Sequence, residues 1–128
     1  LPSGATIESA IFRLYQSGTA GAPGAAFTLA RLDHVNYGNV FPTTATAFNV
    51  IQTDIAQLTD LDTSNTEKLL DVTGAVQVDL NAGRPRSQFR LRPAIGTNND
   101  AQADFMVLTS AETPTASIRP MLIITYSE

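Results

Sequence analysis

Side chains alternate with a period of two along most of this chain, which confines its backbone to extended strands packed on at least one face. In ATIESAIFRLYQ, Ala10, Phe12 and Leu14 share one face while Ser9, Ile11 and Arg13 share the other. The pattern predicts a strand from about Thr6 to Gln16, covered in part on both sides. AFTLARL reads as a short strand led by Phe27 and Leu29. SQFRLRPAI sets Phe89 and Leu91 against Arg90 and Arg92, and DFMVLTSAE is a further strand. RPMLIITYSE closes the chain with Leu122, Ile124 and Tyr126 opposing Met121, Ile123 and Thr125.

One stretch leaves this pattern. In LLDVTGAVQVDLNAG, Thr73 is placed to cap a helix, Val76 and Leu80 lie four apart, and Gly83 supplies a stop, so a helix is expected over about Gly74 to Asn81. SGTAGAPG and GTNNDAQAD carry loop chemistry. From Asp33 to Leu70 the pattern is weaker, with turn signals at Tyr37-Gly38-Asn39 and Pro42 and an apolar patch at Phe48, Val50 and Ile51. TDLDTSNTEK is polar and is expected to be exposed. Short strands, long connections and one helix predict an all-β protein, an antiparallel jelly-roll-like β-sandwich in a single domain over residues 1–128.

Composition narrows the function classes. Apolar residues make up 43% of the 128 and charged residues 16%, enough to bury a core and too few charges for a mostly helical surface. Twelve acids against eight bases give a net charge of −4, the wrong sign for a protein that gains its affinity from phosphates, so nucleic acid is not an expected partner. Without cysteine there is no disulfide framework, zinc knuckle or thiol nucleophile. No apolar run reaches the ~18–20 residues of a membrane span.

Four stretches, LPSGATIESAIFRLY, LLDVTGAVQVDL, RSQFRLR with its NNDAQADF loop, and SAETPTASIRPMLIITY, resemble the DNRLRE domain. That family is similar to disaggregatase-related repeats and to one class of carbohydrate-binding module. The resemblance implies a non-catalytic sandwich on an extracellular, cell-surface or virion-surface protein, some relatives binding acidic polysaccharide. Two departures stand out. HVNYGNVF replaces a tryptophan-bearing segment, and the strand-bearing region that precedes the LP-GAT turn in the family is not part of this sequence. The expectation is therefore either a piece of a longer protein or a sheet completed by a strand from a neighbouring chain.

GRPRSQFRLRP holds four of the eight basic residues. In an extended backbone Arg86, Arg90 and Arg92 share a face and span roughly 20 Å at about 3.3 Å per residue. Guanidinium forks suit carboxylates and sulfates, making these three candidate readers of an acidic polysaccharide. The same row equally fits arginines that meet water and neighbouring acids while Phe89 and Leu91 face the core. Tyr37 and Phe41 are candidate stacking residues, or are packed under their loop. Asn98, Asp100 and Asp104 are candidate calcium ligands, calcium being the one cofactor considered, although Asn and Asp also cap turns locally. His34, the only histidine, reads as a surface loop residue with no accompanying catalytic motif. No catalytic residue is assigned. The partners expected are an acidic polysaccharide or neighbouring protein subunits.

Overall fold

A computed structural model describes residues 1–2, 4–20, 29–39, 43, 53–61, 65–93 and 101–128. In chain order it contains β1 (Thr6–Ala20), β2 (Arg31–Val35), β3 (Thr53–Gln57), β4 (Thr66–Asp71), α1 (Thr73–Asn81), β5 (Gln88–Arg92), β6 (Phe105–Leu108), a 3₁₀ turn (Ala116–Ile118) and β7 (Met121–Ser127). Among the described residues the protein is all-β with one short helix, and its strands form two antiparallel sheets, as the alternation predicts. Among the described residues the first sheet comprises β1, β4, β6 and β7, and the second has the order β3-β2-β5.

β1 is the spine of the first sheet. On one edge β4 pairs with Ile11 to Gln16. On the other, β7 pairs with Thr6 to Arg13 and β6 takes over from Gln16 to Ala20. The pairing with each of these strands carries one irregularity, between Ile7 and Ser9 against β7 and between Gln16 and Gly18 against β6, so β1 changes which side chains face inward without breaking.

β4 covers only half of its edge of β1, and a strand edge left in a protein interior wastes hydrogen bonds. The segment that follows β4 fills the gap. Val72 N donates to Ala10 O (2.8 Å), Ala10 N donates to Thr73 Oγ1 (2.9 Å), and Ile7 N donates to Gln77 Oε1 (2.7 Å). Side chains of α1 thus continue the ladder that β4 begins.

This explains a departure from the sequence expectation. Thr73 is the first residue of α1 rather than its cap, and no side chain caps Val72, the residue before it. The Thr73 hydroxyl oxygen accepts from β1 instead, while Asp71 Oδ1 accepts from Thr73 N at 2.8 Å. The other end follows expectation. Val76 is buried, Leu80 half-buried, and Gly83 sits at φ +65°, a left-handed conformation in which a β-carbon is strained.

The sheets meet through Ala10, Leu14, Leu32, Val72 and Val76, with Phe12, Phe89, Leu91 and Ile124 packed against them. The Phe12 and Phe89 rings lie 5.7 Å apart at 52°, one from each sheet. Three elements depart from the sequence reading. β2 begins at Arg31, the sixth residue of AFTLARL, and runs on to Val35, while residues 26–28 of that stretch lie outside those described. β3 and β4 fall in the region read as irregular. Thr59 and Lys68, from the run expected to be exposed, are 2% and 8% exposed.

Gln77→Ala removes the acceptor of a part-buried amide, so about 1–3 kcal/mol of stability should be lost. Hydrogen exchange at Ile7 N–H should quicken far more than at Phe12, which β4 and β7 flank. The Asp71 carboxyl is held below its ordinary range by hydrogen bonds from the Thr73 side chain and backbone. Its contribution is therefore present at neutral pH and lost as pH falls through that lowered value. Carbon-13 titration of Asp71 should give a midpoint below that of an exposed aspartate in the same spectrum.

Candidate functional site

The arginine row is where the sequence places its sharpest functional signal, and the structure divides it. β5 begins at Gln88, so only Arg90 and Arg92 share its outward face, the one turned from the core. Arg84 and Arg86 precede the strand. Phe89 and Leu91 pack on the core, as the alternation requires.

Opposite Arg90 in the adjacent strand stands Asp33. Its side chain has no exposure, and its Oδ2 accepts from Arg90 Nη2 (2.7 Å), Arg92 Nε (2.7 Å) and, more weakly, Arg90 Nε (3.3 Å). Asp33 Oδ1 is buried and accepts no hydrogen bond among the described residues. Two guanidinium groups on one buried carboxylate leave positive charge over, and Asp54 shares it: Arg31 Nε donates to both its oxygens (2.9 and 3.0 Å), and Arg92 Nη2 lies 3.9 Å away. Arg31, Asp54, Arg92, Asp33 and Arg90 therefore alternate in sign across three strands. The hydrogen bond with Asp33 and the nearby carboxylates push the Arg92 guanidinium further above its ordinary value. Arg90 Nη1 also donates to the Tyr37 hydroxyl (3.3 Å), and Tyr37 N donates to Gln88 Oε1 (2.8 Å).

Arg90, Arg92 and Tyr37 are thus brought together, within an internal network. Arg86 stands apart, exposed and in no ion pair among the described residues. Phe41, Asn98 and Asp100 lie outside the described residues. Asp104 is described and half-buried just before β6. Among the described residues no three His, Asp or Glu side chains gather as a metal site.

His34 is the residue the sequence reading placed wrongly. It lies within β2, 2% exposed, its ring 5.8 Å from that of Phe89. Asp79 of α1, also buried, receives it: His34 Nε2 and Asp79 Oδ2 are 2.9 Å apart, and Arg84 Nη1 donates to Asp79 Oδ1 at 2.5 Å. A carboxylate held by arginine only accepts, so the shared proton rests on His34 Nε2. Arg84 N also donates to Asp79 O (3.0 Å), which fixes the turn after the helix. His34 borders a cavity of about 570 Å³ whose polar wall is Thr53, Asp54 and Asp71 and whose apolar wall includes Ile55, Val72 and Val78. Asp60, in the acidic run after β3, is likewise engaged internally. Asp60 Oδ2 accepts from the buried Lys68 Nζ (2.6 Å), and the Gln16 amide bridges to the Asp60 backbone.

The first sheet shows the opposite character on its outward face. The pairing of β1 places Ile11, Arg13 and Tyr15 there with Leu69, Met121, Ile123, Val107 and Phe105. Leu69 (57%), Phe105 (51%) and Ile123 (46%) are the most exposed of these. Arg13 lies among them, 3.5 Å from Glu67 and 6.0 Å from the Tyr15 ring centre. The sequence signal for this surface is period-two alternation with apolar residues at both parities, visible in Met121 to Tyr126. No helix among the described residues is long and apolar enough to cross a membrane.

A scan against protein-family models finds no match to this chain, and neither do searches of curated proteins and of solved structures.

Asp33→Ala strands two largely buried guanidinium groups and should cost about 3–5 kcal/mol in a urea melt. Arg86→Ala should stay within about 0.5 kcal/mol of the parent. Equal losses at the two positions would contradict the internal role of Asp33.

Proposed function

We propose that this chain is a non-catalytic β-sandwich module of the jelly-roll type that serves assembly, a structural subunit whose neighbours pack on its first sheet. The observation that carries this reading is the apolar outward face of that sheet, where Leu69, Phe105, Val107, Met121 and Ile123 stay between 44% and 57% exposed. Soluble monomers rarely leave a contiguous patch of this kind uncovered. Ionic groups of the second sheet are spent on one another, so they favour a structural role there over recognition of a polyanion. His34 is likewise engaged by Asp79 in the interior, which suits a scaffold better than a reaction centre. The resemblance to DNRLRE domains supplies the setting proposed with this reading, an extracellular, cell-surface or virion-surface protein.

The rival reading, a module that binds acidic polysaccharide, is supported by the exposed Arg86 and separates in one pair of experiments. Sedimentation velocity should show concentration-dependent association that strengthens with added salt, since apolar contacts gain where exposed charges are screened. Combining Leu69→Glu with Phe105→Glu should remove the large species while leaving the fold intact by circular dichroism. A chain that remains monomeric throughout, and whose electrophoretic mobility in alginate gels depends on Arg86, would overturn the assembly reading in favour of the polysaccharide one.

A further inference from the structure

The cavity of about 570 Å³ between β3 and α1 is rich in hydrogen-bond acceptors and poor in donors. Three acceptors border it from three elements: His34 from β2, Asp54 from β3, and Asp71 from the junction of β4 with α1. His34 is 2% exposed, and its Nε2 carries the proton shared with Asp79. Its other ring nitrogen, Nδ1, is therefore a lone pair, and no described residue donates to it. A nearly buried acceptor without a donor calls for an occupant that supplies one. The Thr53 hydroxyl is the one side-chain donor on the wall among the described residues.

The two carboxylates differ. Both oxygens of Asp54 are held by Arg31, so its charge is largely answered. Asp71 accepts from Thr73 N, which uses part of a carboxylate's capacity, and it forms no ion pair among the described residues. Its hydrogen bonds hold it below the ordinary carboxyl range, so it is ionised at neutral pH. Lying at the start of α1, it also offsets the positive end of the helix dipole. The net charge of −4 further favours a cation. The rest of the wall is mainly aliphatic, with Ile55, Val72 and Val78.

We propose that this cavity binds a primary ammonium carried on an aliphatic stem, with Asp71 and His34 Nδ1 accepting from the ammonium and Ile55, Val72 and Val78 packing on the stem. This goes beyond the assembly reading and does not depend on it. An ammonium has three donors and no acceptor, which matches acceptors arriving from three separate elements. A guanidinium is a planar fork suited to one carboxylate edge, and Asp54 already holds one. The volume is that of a small-molecule site. Another copy of this chain cannot supply a lysine, because its only one, Lys68, is buried against Asp60 at 2.6 Å. The ligand is therefore a free alkylamine or a lysine side chain of a different protein.

The experiment is an NMR titration of the full chain with pentylammonium, its neutral isostere pentanol, and Nα-acetyl-lysine amide. Pentylammonium should saturate at roughly 1–10 mM, shift the Ile55, Val72 and Val78 methyls, and move the His34 Nδ1 resonance toward the hydrogen-bonded position. Pentanol should bind at least about tenfold more weakly, and so should pentylammonium to Asp71→Asn, whose amide oxygen can still accept from Thr73 N. Binding of Nα-acetyl-lysine amide as tight as that of pentylammonium assigns the site to protein lysines, and much weaker binding assigns it to free amines. Equal affinity for pentanol and pentylammonium on the unmodified chain, an unmoved Nδ1 resonance, or undiminished binding to a folded Asp71→Asn overturns the proposal.

Discussion

Fifteen residues of extended backbone, Thr6 to Ala20, must hydrogen-bond along both edges, and much of the architecture follows from how that is achieved. No single strand does it. β7 and β6 divide one edge between them; β4 takes Ile11 to Gln16 of the other, and the start of α1 extends that edge at Ala10 and Ile7 through Val72 N, Thr73 Oγ1 and Gln77 Oε1. The helix is therefore less an insertion between strands than a substitute for one. Its position next fixes Asp79, and Asp79 fixes His34 and the turn that leads into β5.

The two sheets spend their chemistry differently. The second carries its charges inward in the sense that matters energetically: Asp33 is wholly buried and its arginines are 11% and 16% exposed. Removing one partner of such a cluster strands the other, so the cluster enforces strand register more than it adds net stability. The first sheet has few charges and leaves apolar side chains outside. We base the functional proposal on that contrast, with charges paired across the second sheet and apolar side chains left outside on the first.

Much of the fold is legible in the sequence because it is local. Alternation in ATIESAIFRLYQ and MLIITYSE, the spacing of Val76 and Leu80, and Gly83 each declare an element without reference to distant residues. What escapes is what depends on distance along the chain. Asp33 and His34 look like loop residues because their partners, Arg90, Arg92 and Asp79, lie 45 to 59 positions away. Lys68 reads as solvent-facing until Asp60 is beside it. The arginine row shows both cases at once. Its parity is correct from Gln88 onward, but the turn held by Arg84 ends the strand before Arg86 can join, and the carboxylate that occupies Arg90 and Arg92 is invisible in the row itself.

The central claim is that the middle of β1 is paired along both edges, whereas β7 is paired along one among the described residues. Native-state hydrogen exchange, resolved by residue and recorded in dilute solution, tests it most directly. The account predicts that amides of Ile11, Phe12 and Arg13 exchange only through global unfolding, whereas alternate amides of β7 exchange orders of magnitude faster. Uniform protection of every β7 amide at the lowest concentration, or rapid exchange at the centre of β1, would contradict it.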